Sequence, residues 1–403
     1  MNKYTYEARD AASNKIVKST VQAETESAAA KLLSAQGFTP LKIELESESA
    51  NIFKRLANRI TSKDRIVFTR QLATLIGAGL PLSQSMRTVH DQTQNKQMQE
   101  VIQEIVGDIE GGRSLSEAFA KHPKVFDNVF LALVSAGEAS GTLDDALKRI
   151  AAQQEKDAAM MSKIKGALTY PVIVLVVIVA VIGFMLVAVV PQVKNLYEDL
   201  NKELPLLTQI MVSTADFFIN YWWIVLIVVG IGVYFLVQYL QTASGIKTKD
   251  TFKLNVPLFS GMFRRLYMAR FTRTGQTLMS TGVPMLDMLK ITSTAVNNTI
   301  IAQGIDRASE KVKGGKSLSS ALKNEDYFLD MVPQMINIGE QSGKIDEMMG
   351  KCAQIYEDEL DEEIKTISTA IEPVLMVVLA IVAGGMVGAI LFPIYSLVNG
   401  VGI

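Results

Sequence analysis

The stretch nearest to a known chemical device is Gly314-Gly315-Lys316-Ser317, which has the closing residues of a phosphate-binding loop. Such a loop needs another Gly five positions before its second Gly, where this chain has Glu310, and it needs a preceding strand. The flanking pattern is helical, and an earlier copy of the segment reads Gly111-Gly112-Arg113-Ser114, so both are read as turns joining helices. Hydrolase chemistry would need a His beside a nucleophile. The two His, His90 and His122, have Ser293 and Glu325 at the equivalent places of a second copy, and no GxSxG is present. The single Cys, Cys352, allows no disulfide and no zinc spacing. The acidic run Glu357–Glu363 offers carboxylates for a metal or a partner, but a solvated helix face is the plainer reading. The chain is therefore expected to be no enzyme, with no cofactor and no metal.

The elements that carry these residues follow from composition. Of 403 residues 49% are hydrophobic and 20% charged, and 40 Lys+Arg balance 41 Asp+Glu. The net charge of −1 leaves no basic surplus for a nucleic-acid partner. The polar opening MNKYTYEARD does not read as a cleavable secretory signal. Three segments lack any charge over a membrane-crossing length: Pro171–Val190, Phe217–Ile246 with its apolar heart at 221–240, and Pro373–Ile403. Tyr221, Trp222 and Trp223 stand at the start of the second, where interfacial aromatics belong. Lys156, Lys163 and Lys165 precede the first span, and Lys247, Lys249, Lys253, Arg264 and Arg265 follow the second. The positive-inside rule then puts the N-terminus, 1–170 and 241–372 in the cytoplasm, with the 191–220 loop and the C-terminus outside.

A duplication organises the chain. FTRQLATLIGAGLP (68–81) matches FTRTGQTLMSTGVP (271–284) at seven of 14 positions, at an offset of 203. GGRSLSEAF (111–119) matches GGKSLSSAL (314–322) at six of nine, and GEASGTLD (137–144) matches GEQSGKID (339–346) at five of eight. Each copy ends in a proline-bounded span. Apolar spacing such as Phe68, Leu72, Leu75 and Ile76 predicts amphipathic helices. The punctuation falls at Gly79 and Pro81, Gly111 and Gly112, and Gly141, repeated at Gly282 and Pro284, Gly314 and Gly315, and Gly343. Ser114 with Glu117 reads as a capping box.

The expected fold is mainly α: an integral membrane protein with three transmembrane helices, two cytoplasmic helical-bundle repeats and a small N-terminal α+β module. Its parts are the α+β module at 1–48, an amphipathic linker at 49–64, repeat 1 at 65–170, spans at 171–190, 221–240 and 373–396, an external loop at 191–220, and repeat 2 at 265–372. Glu138 and Glu340 recur beside the Gly turns, either as helix caps or as a partner-docking edge. Arg70 and Arg273 recur likewise and are candidates for docking. Ala380, Gly384 and Gly388 form a small-residue face for close helix approach in the third span. The spans hold no Asp, Glu, Lys, Arg or His over 171–190, 221–240 or 374–392, which disfavours the alternative of an oligomeric transporter or channel component.

The paired turns, the proline-bounded spans and the opening YTYEARD…VQAETESAAAKLLSAQGFTPLKI resemble the type II secretion system F and type IV pilus PilC-like platform family. That resemblance covers nearly the whole chain. It implies a platform in the bacterial inner membrane, linking a cytoplasmic assembly ATPase to pilin or pseudopilin fibre assembly, with a lean toward the pilus. It implies as partners the ATPase, pilins, other inner-membrane assembly proteins, membrane lipid and a homo-oligomer.

Overall fold

The computed structural model describes residues 2–10, 16–23, 26–35, 38–45, 59–199 and 206–400. The expected linker at 49–64 lies outside these up to residue 58. The chain divides into two compact units, Met1–Gln71 with Leu80–Gly112 and Leu72–Gly79 with Arg113–Ile403.

The first unit contains strands β1 (Asn2–Asp10) and β2 (Ile16–Ala23), helix α1 (Glu26–Ala35) and strand β3 (Phe38–Leu45). The sheet order is β2-β1-β3 with both pairs antiparallel, Tyr4 lying opposite Val21 and Leu45. The ladder shifts between Glu7 and Ala8, beside the pairing of Ala8 with Pro40. Proline donates no amide hydrogen, so an edge strand at a bulge is where a sheet tolerates it. The expected α+β module is thus present. The unit also holds the start of α2 (Ser62–Gly77) and the hairpin α3 (Leu82–Gln92) and α4 (Lys96–Glu110). A reciprocal cap opens α2: Thr61 N donates to Asp64 Oδ2 at 2.7 Å, and Asp64 N donates to Thr61 Oγ1 at 3.2 Å.

The second unit runs through α5 (Leu115–Ala120), α6 (Asn128–Ser140) and α7 (Leu143–Phe184). A π-turn over Met185–Val189 leads into α8 (Val190–Asp199), and α9 (Leu206–Gln241) follows. Then come α10 (Ala243–Asn255), α11 (Ser260–Ser280), α12 (Met285–Ala295), α13 (Thr299–Lys313), α14 (Leu318–Leu322), α15 (Met331–Ser342) and α16 (Ile345–Gly400). The order from α11 to α16 repeats that from α2 to α7, with matching turns. Gly79 and Gly282 have φ of 84° and 85°, and Pro81 and Pro284 cap the next helices.

Pro171, Pro373 and Pro393 do not interrupt the helices: they lie inside α7 and α16, which are continuous through them. At about 1.5 Å per residue, the 42 residues of α7 reach about 63 Å, so one helix serves both the bundle and the membrane. A proline in such a helix is tolerated where neighbouring helices, side chains or local adjustment of the backbone satisfy the freed carbonyl. The connecting segment 191–220 is helical to Asp199 and again from Leu206, and α9 has a kink at Tyr221 (φ −120°, ψ 19°). Among the described residues three helices are long and apolar enough to cross a membrane. Leu175, Leu226 and Ile381 stand 57, 61 and 68% exposed within the chain, as side chains do whose solvent is lipid.

Just before the first and third spans, the helices meet around one core. Met160 and Ile164 of α7, Met262 and Leu266 of α11, and Leu360, Ile364 and Ile367 of α16 pack together. Leu360 is fully buried. Leu360→Ala is expected to destabilise the protein by about 2–5 kcal/mol, read as a lowered melting temperature in mild detergent, while the exposed Ile381→Ala leaves it near normal.

Candidate functional site

The apolar junction of α7, α11 and α16 is enclosed by charge. The acidic run of α16 does not form a solvated face as a whole; most of its carboxylates meet bases from the other two helices. Glu357 receives a two-pronged contact from Arg273 (Nε to Oε1 2.8 Å, Nη2 to Oε2 2.9 Å) and a third bond from Lys156 Nζ at 3.0 Å. The Arg273 and Glu357 side chains are only 17 and 12% exposed. Arg265 bridges Glu359 at 2.8 Å and Glu363 at 3.1 Å, and Lys163 pairs with Asp361. Gln153 Nε2 donates to Thr274 Oγ1 at 2.9 Å, and Arg149 Nη1 to Ser280 Oγ at 3.0 Å. Repeat 1 thereby reaches repeat 2 through polar bonds as well as through the apolar contact. Lys156 and Lys163, two of the lysines that flank the first span, hold this joint. Arg273 is engaged internally with Glu357, which gives it a structural role in this joint.

The fit of α16 against α11 explains where the copies diverge. A Cβ on Gly275 would stand 2.2 Å from Met349 Cε and 3.3 Å from Met288 Sδ. The first copy has Leu72 and Leu147 at the equivalent positions, so a smaller residue on one helix accompanies a longer one on the next.

The Gly-Glu-x-Ser-Gly turns resolve residue by residue. Gly141 and Gly343 adopt left-handed conformations at φ 72° and 70°. The amides that follow them, Thr142 N and Lys344 N, return to Gly137 O (2.8 Å) and Gly339 O (2.9 Å). A Cβ on Gly137 would lie 2.6 Å from Ala146 Cβ, and one on Gly339 2.7 Å from Ile345 Cα, so these glycines let the next helix approach. The carboxylates cap the short helices. Glu138 accepts from Leu115 N (2.7 Å), Ser116 N (3.2 Å) and Ser116 Oγ (2.9 Å), while Ser114 Oγ takes the Glu117 amide at 3.2 Å. Glu340 accepts from Leu318 N (2.6 Å), Ser319 N (3.3 Å) and Ser319 Oγ, and Ser317 Oγ accepts from Ser320 N at 3.3 Å. The geometry shows Glu138 and Glu340 acting as caps of the short helices. Because the acid comes from the neighbouring helix, Ser320 can replace Glu117 without loss of the cap.

Partial burial works to raise the Glu138 pKa, but the bonds from the Leu115 and Ser116 amides and the Ser116 hydroxyl hold it below the ordinary 4.5. Glu325, with its side chain 4% exposed, shows the same balance. Burial raises its pKa, while Arg307 (Nε to Oε2 2.9 Å) and Lys311 (Nζ to Oε1 2.7 Å) bring it below 4.5. No local sequence pattern announces this trio.

The remaining sequence candidates fall as follows. Gly315 has φ of 90° in the turn between α13 and α14, and Gly112 has φ of 86° after α4, so the phosphate-loop look-alike is a connecting turn. Among the described residues no group of three His, Cys, Asp or Glu is placed to hold a metal. Ala380, Gly384 and Gly388 are exposed, and nothing lies within 4 Å of a Cβ built on either glycine.

Comparison with known proteins adds the family. The model of type II secretion system (T2SS) protein F matches twice, over 68–191 and 271–393, and that of its N-terminal domain matches 1–44. The chain belongs to the type II secretion system protein F family. The type IV pilus assembly protein PilC of Thermus thermophilus is 35% identical over 401 residues, 98% of each chain. PilC of Pseudomonas aeruginosa is 34% identical over 371 residues, 92% of this chain and 98% of its own. The type II secretion system protein F of Xanthomonas campestris pv. campestris is 33% identical over 404 residues, 99% of both. The two matches to the protein F family model coincide with the duplication read from the sequence, and each includes one long helix.

Two predictions follow from the caps and the trio. Glu340→Lys leaves two α14 amides without their acceptor and is expected to cost about 1–3 kcal/mol, seen as a lowered melting temperature; an unchanged one would refute the cap. Glu138 and Glu325 have lowered folded pKa values, so their stabilisation is full above about 4.5 and is lost as pH falls through those values. Glu325→Gln should therefore melt lower than wild type at neutral pH, and the gap should shrink under acid.

Proposed function

We propose that this chain is the inner-membrane platform of a type IV pilus assembly or type II secretion machine, linking a cytoplasmic ATPase to the assembly of pilins or pseudopilins. The carrying observation is mechanical. The long helices α7 and α16 each run from a bundle into a span, and the charged junction binds them together before the membrane begins. A push on either bundle is then delivered to both spans, and no step of chemistry is required of the chain. The names of the relatives support the machine, and the pilus is favoured because the PilC relatives named above are slightly more similar than the protein F relative.

In this reading the bundles face the cytoplasm and offer surface to the motor. The C-terminus lies outside, and the spans, including the Gly384 and Gly388 face, offer surface to pilin helices or a second copy. Orientation is testable with introduced cysteines, since Cys352 is buried and unsuited as a reporter. Asn195→Cys should label in spheroplasts with an impermeant thiol reagent, and Gln103→Cys only after lysis.

The function itself is tested at the junction. Asp361→Lys should leave insertion intact yet reduce surface fibres or secreted substrate, and Lys163→Glu with Asp361→Lys should restore much of the output. The wild-type protein should co-purify with an ATPase and pilins. Normal fibre or substrate output in a deletion strain would overturn the reading.

A further inference from the structure

Helix α10 leaves the second span by a hairpin rather than a straight continuation. Thr242 caps it, accepting from Gly245 N at 3.1 Å, and Thr242 Oγ1 donates to Tyr239 O at 2.7 Å. Gly245 sits so close to the end of the span that a Cβ there would stand 1.9 Å from Tyr239 O. The turn brings Thr248 back onto the span, its Oγ1 lying 3.3 Å from Tyr239 Oη. Thr248 and Phe252 are one helical turn apart on a shared face. The face that touches the membrane helix therefore continues to Phe252, whose ring is 68% exposed. A second exposed apolar side chain, Leu258, 51% exposed with φ of 74°, follows in the connection to α11. Lys247 and Lys249, both exposed, flank that face on either side.

The opposite face is fixed to the second bundle. Asp250, 3% exposed, accepts from Thr299 N at 2.9 Å and Thr299 Oγ1 at 3.0 Å at the start of α13, and Leu254 is fully buried. Lys253 turns inward, 3.8 Å from Asp250 and 5.9 Å from the Phe263 ring centroid. Of the three lysines of α10, two are thus left on the membrane-side flanks.

We infer that α10 is an interfacial helix that seats repeat 2 on the bilayer, with Phe252 in the headgroup–acyl boundary and Lys247 and Lys249 on the phosphates of anionic lipids. The occupant is lipid because the face is continuous with the membrane span, and its cations complement an anionic surface. Long lysine stems allow the charge to reach the phosphates while the aromatic ring inserts. The inference rests on α9 crossing the bilayer and not on the platform role, so a failure of fibre assembly would leave it standing.

The test uses the full chain with Cys352→Ala, in nanodiscs of phosphatidylcholine with about one-third phosphatidylglycerol, an anionic lipid. A bimane probe on Phe252→Cys is compared with probes on Val233→Cys in the span and Ile338→Cys on the bundle. Position 252 should be quenched by lipids doxyl-labelled near the headgroup, and position 338 only by aqueous iodide. Labelled phosphatidylglycerol should quench 252 more than labelled phosphatidylcholine by a factor approaching roughly five per lysine. That ratio should fall to near one in Lys247→Gln/Lys249→Gln and survive in Lys247→Arg/Lys249→Arg. Iodide quenching of 252 without lipid quenching would overturn the inference, and so would shielding from both, which would mean a protein partner covers the face. Equal quenching by the two lipids, or loss of the preference in the arginine pair, would overturn the part assigned to charge.

Discussion

Everything in the larger unit depends on how Glu357 is held. It is a nearly buried carboxylate whose two oxygens are bonded by Arg273 of α11 and Lys156 of α7. A buried carboxylate without partners would be costly, so the three helices are constrained to arrive together. The pairs Arg265 with Glu359 and Glu363, and Lys163 with Asp361, extend the same constraint toward the membrane. The apolar contact of Met160, Leu266 and Leu360 supplies attraction without direction. The charges supply register, since sliding α16 by one residue would turn each acid away from its base.

The duplication gives this joint its form. Two copies of one helical unit each end in a long helix, and the joint is made where those two helices lie against α11. The copies then diverge where their neighbours differ. Gly275 makes room for Met349, and Glu325 serves Arg307 and Lys311. At the positions equivalent to that trio the first copy reads Glu104, Asp108 and His122, two acids and a histidine in place of two bases and an acid.

Much of this was legible in the sequence, for identifiable reasons. Positive φ at a helix end demands Gly, so Gly141, Gly343, Gly112 and Gly315 announced the turns that the structure has. Twenty uncharged residues have few uses outside a bilayer, so the spans were legible too. Pro171 and Pro373 mark where the charge-free segments begin, and the helices run through them unbroken. The roles of Glu138, Glu340 and Arg273 were ambiguous because recurrence has two causes, contact with a partner and contact within the copy. The internal contacts become visible only in the placement of Leu115 N, Leu318 N and Glu357. The acid-to-base matching of α16 against α7 pairs residues about 200 apart in sequence, and no local pattern carries that information.

The central claim, that charge locks α7, α11 and α16 into one element, is tested most directly by a double-mutant cycle. Unfolding free energies in mild detergent would be compared for wild type, Arg273→Ala, Glu357→Ala and the double variant. The account predicts that each single change destabilises strongly, and that the double change costs less than the sum by about 1–3 kcal/mol. Effects that add to within about 0.5 kcal/mol would contradict it, for the pair would then be a neighbourly contact and not the lock.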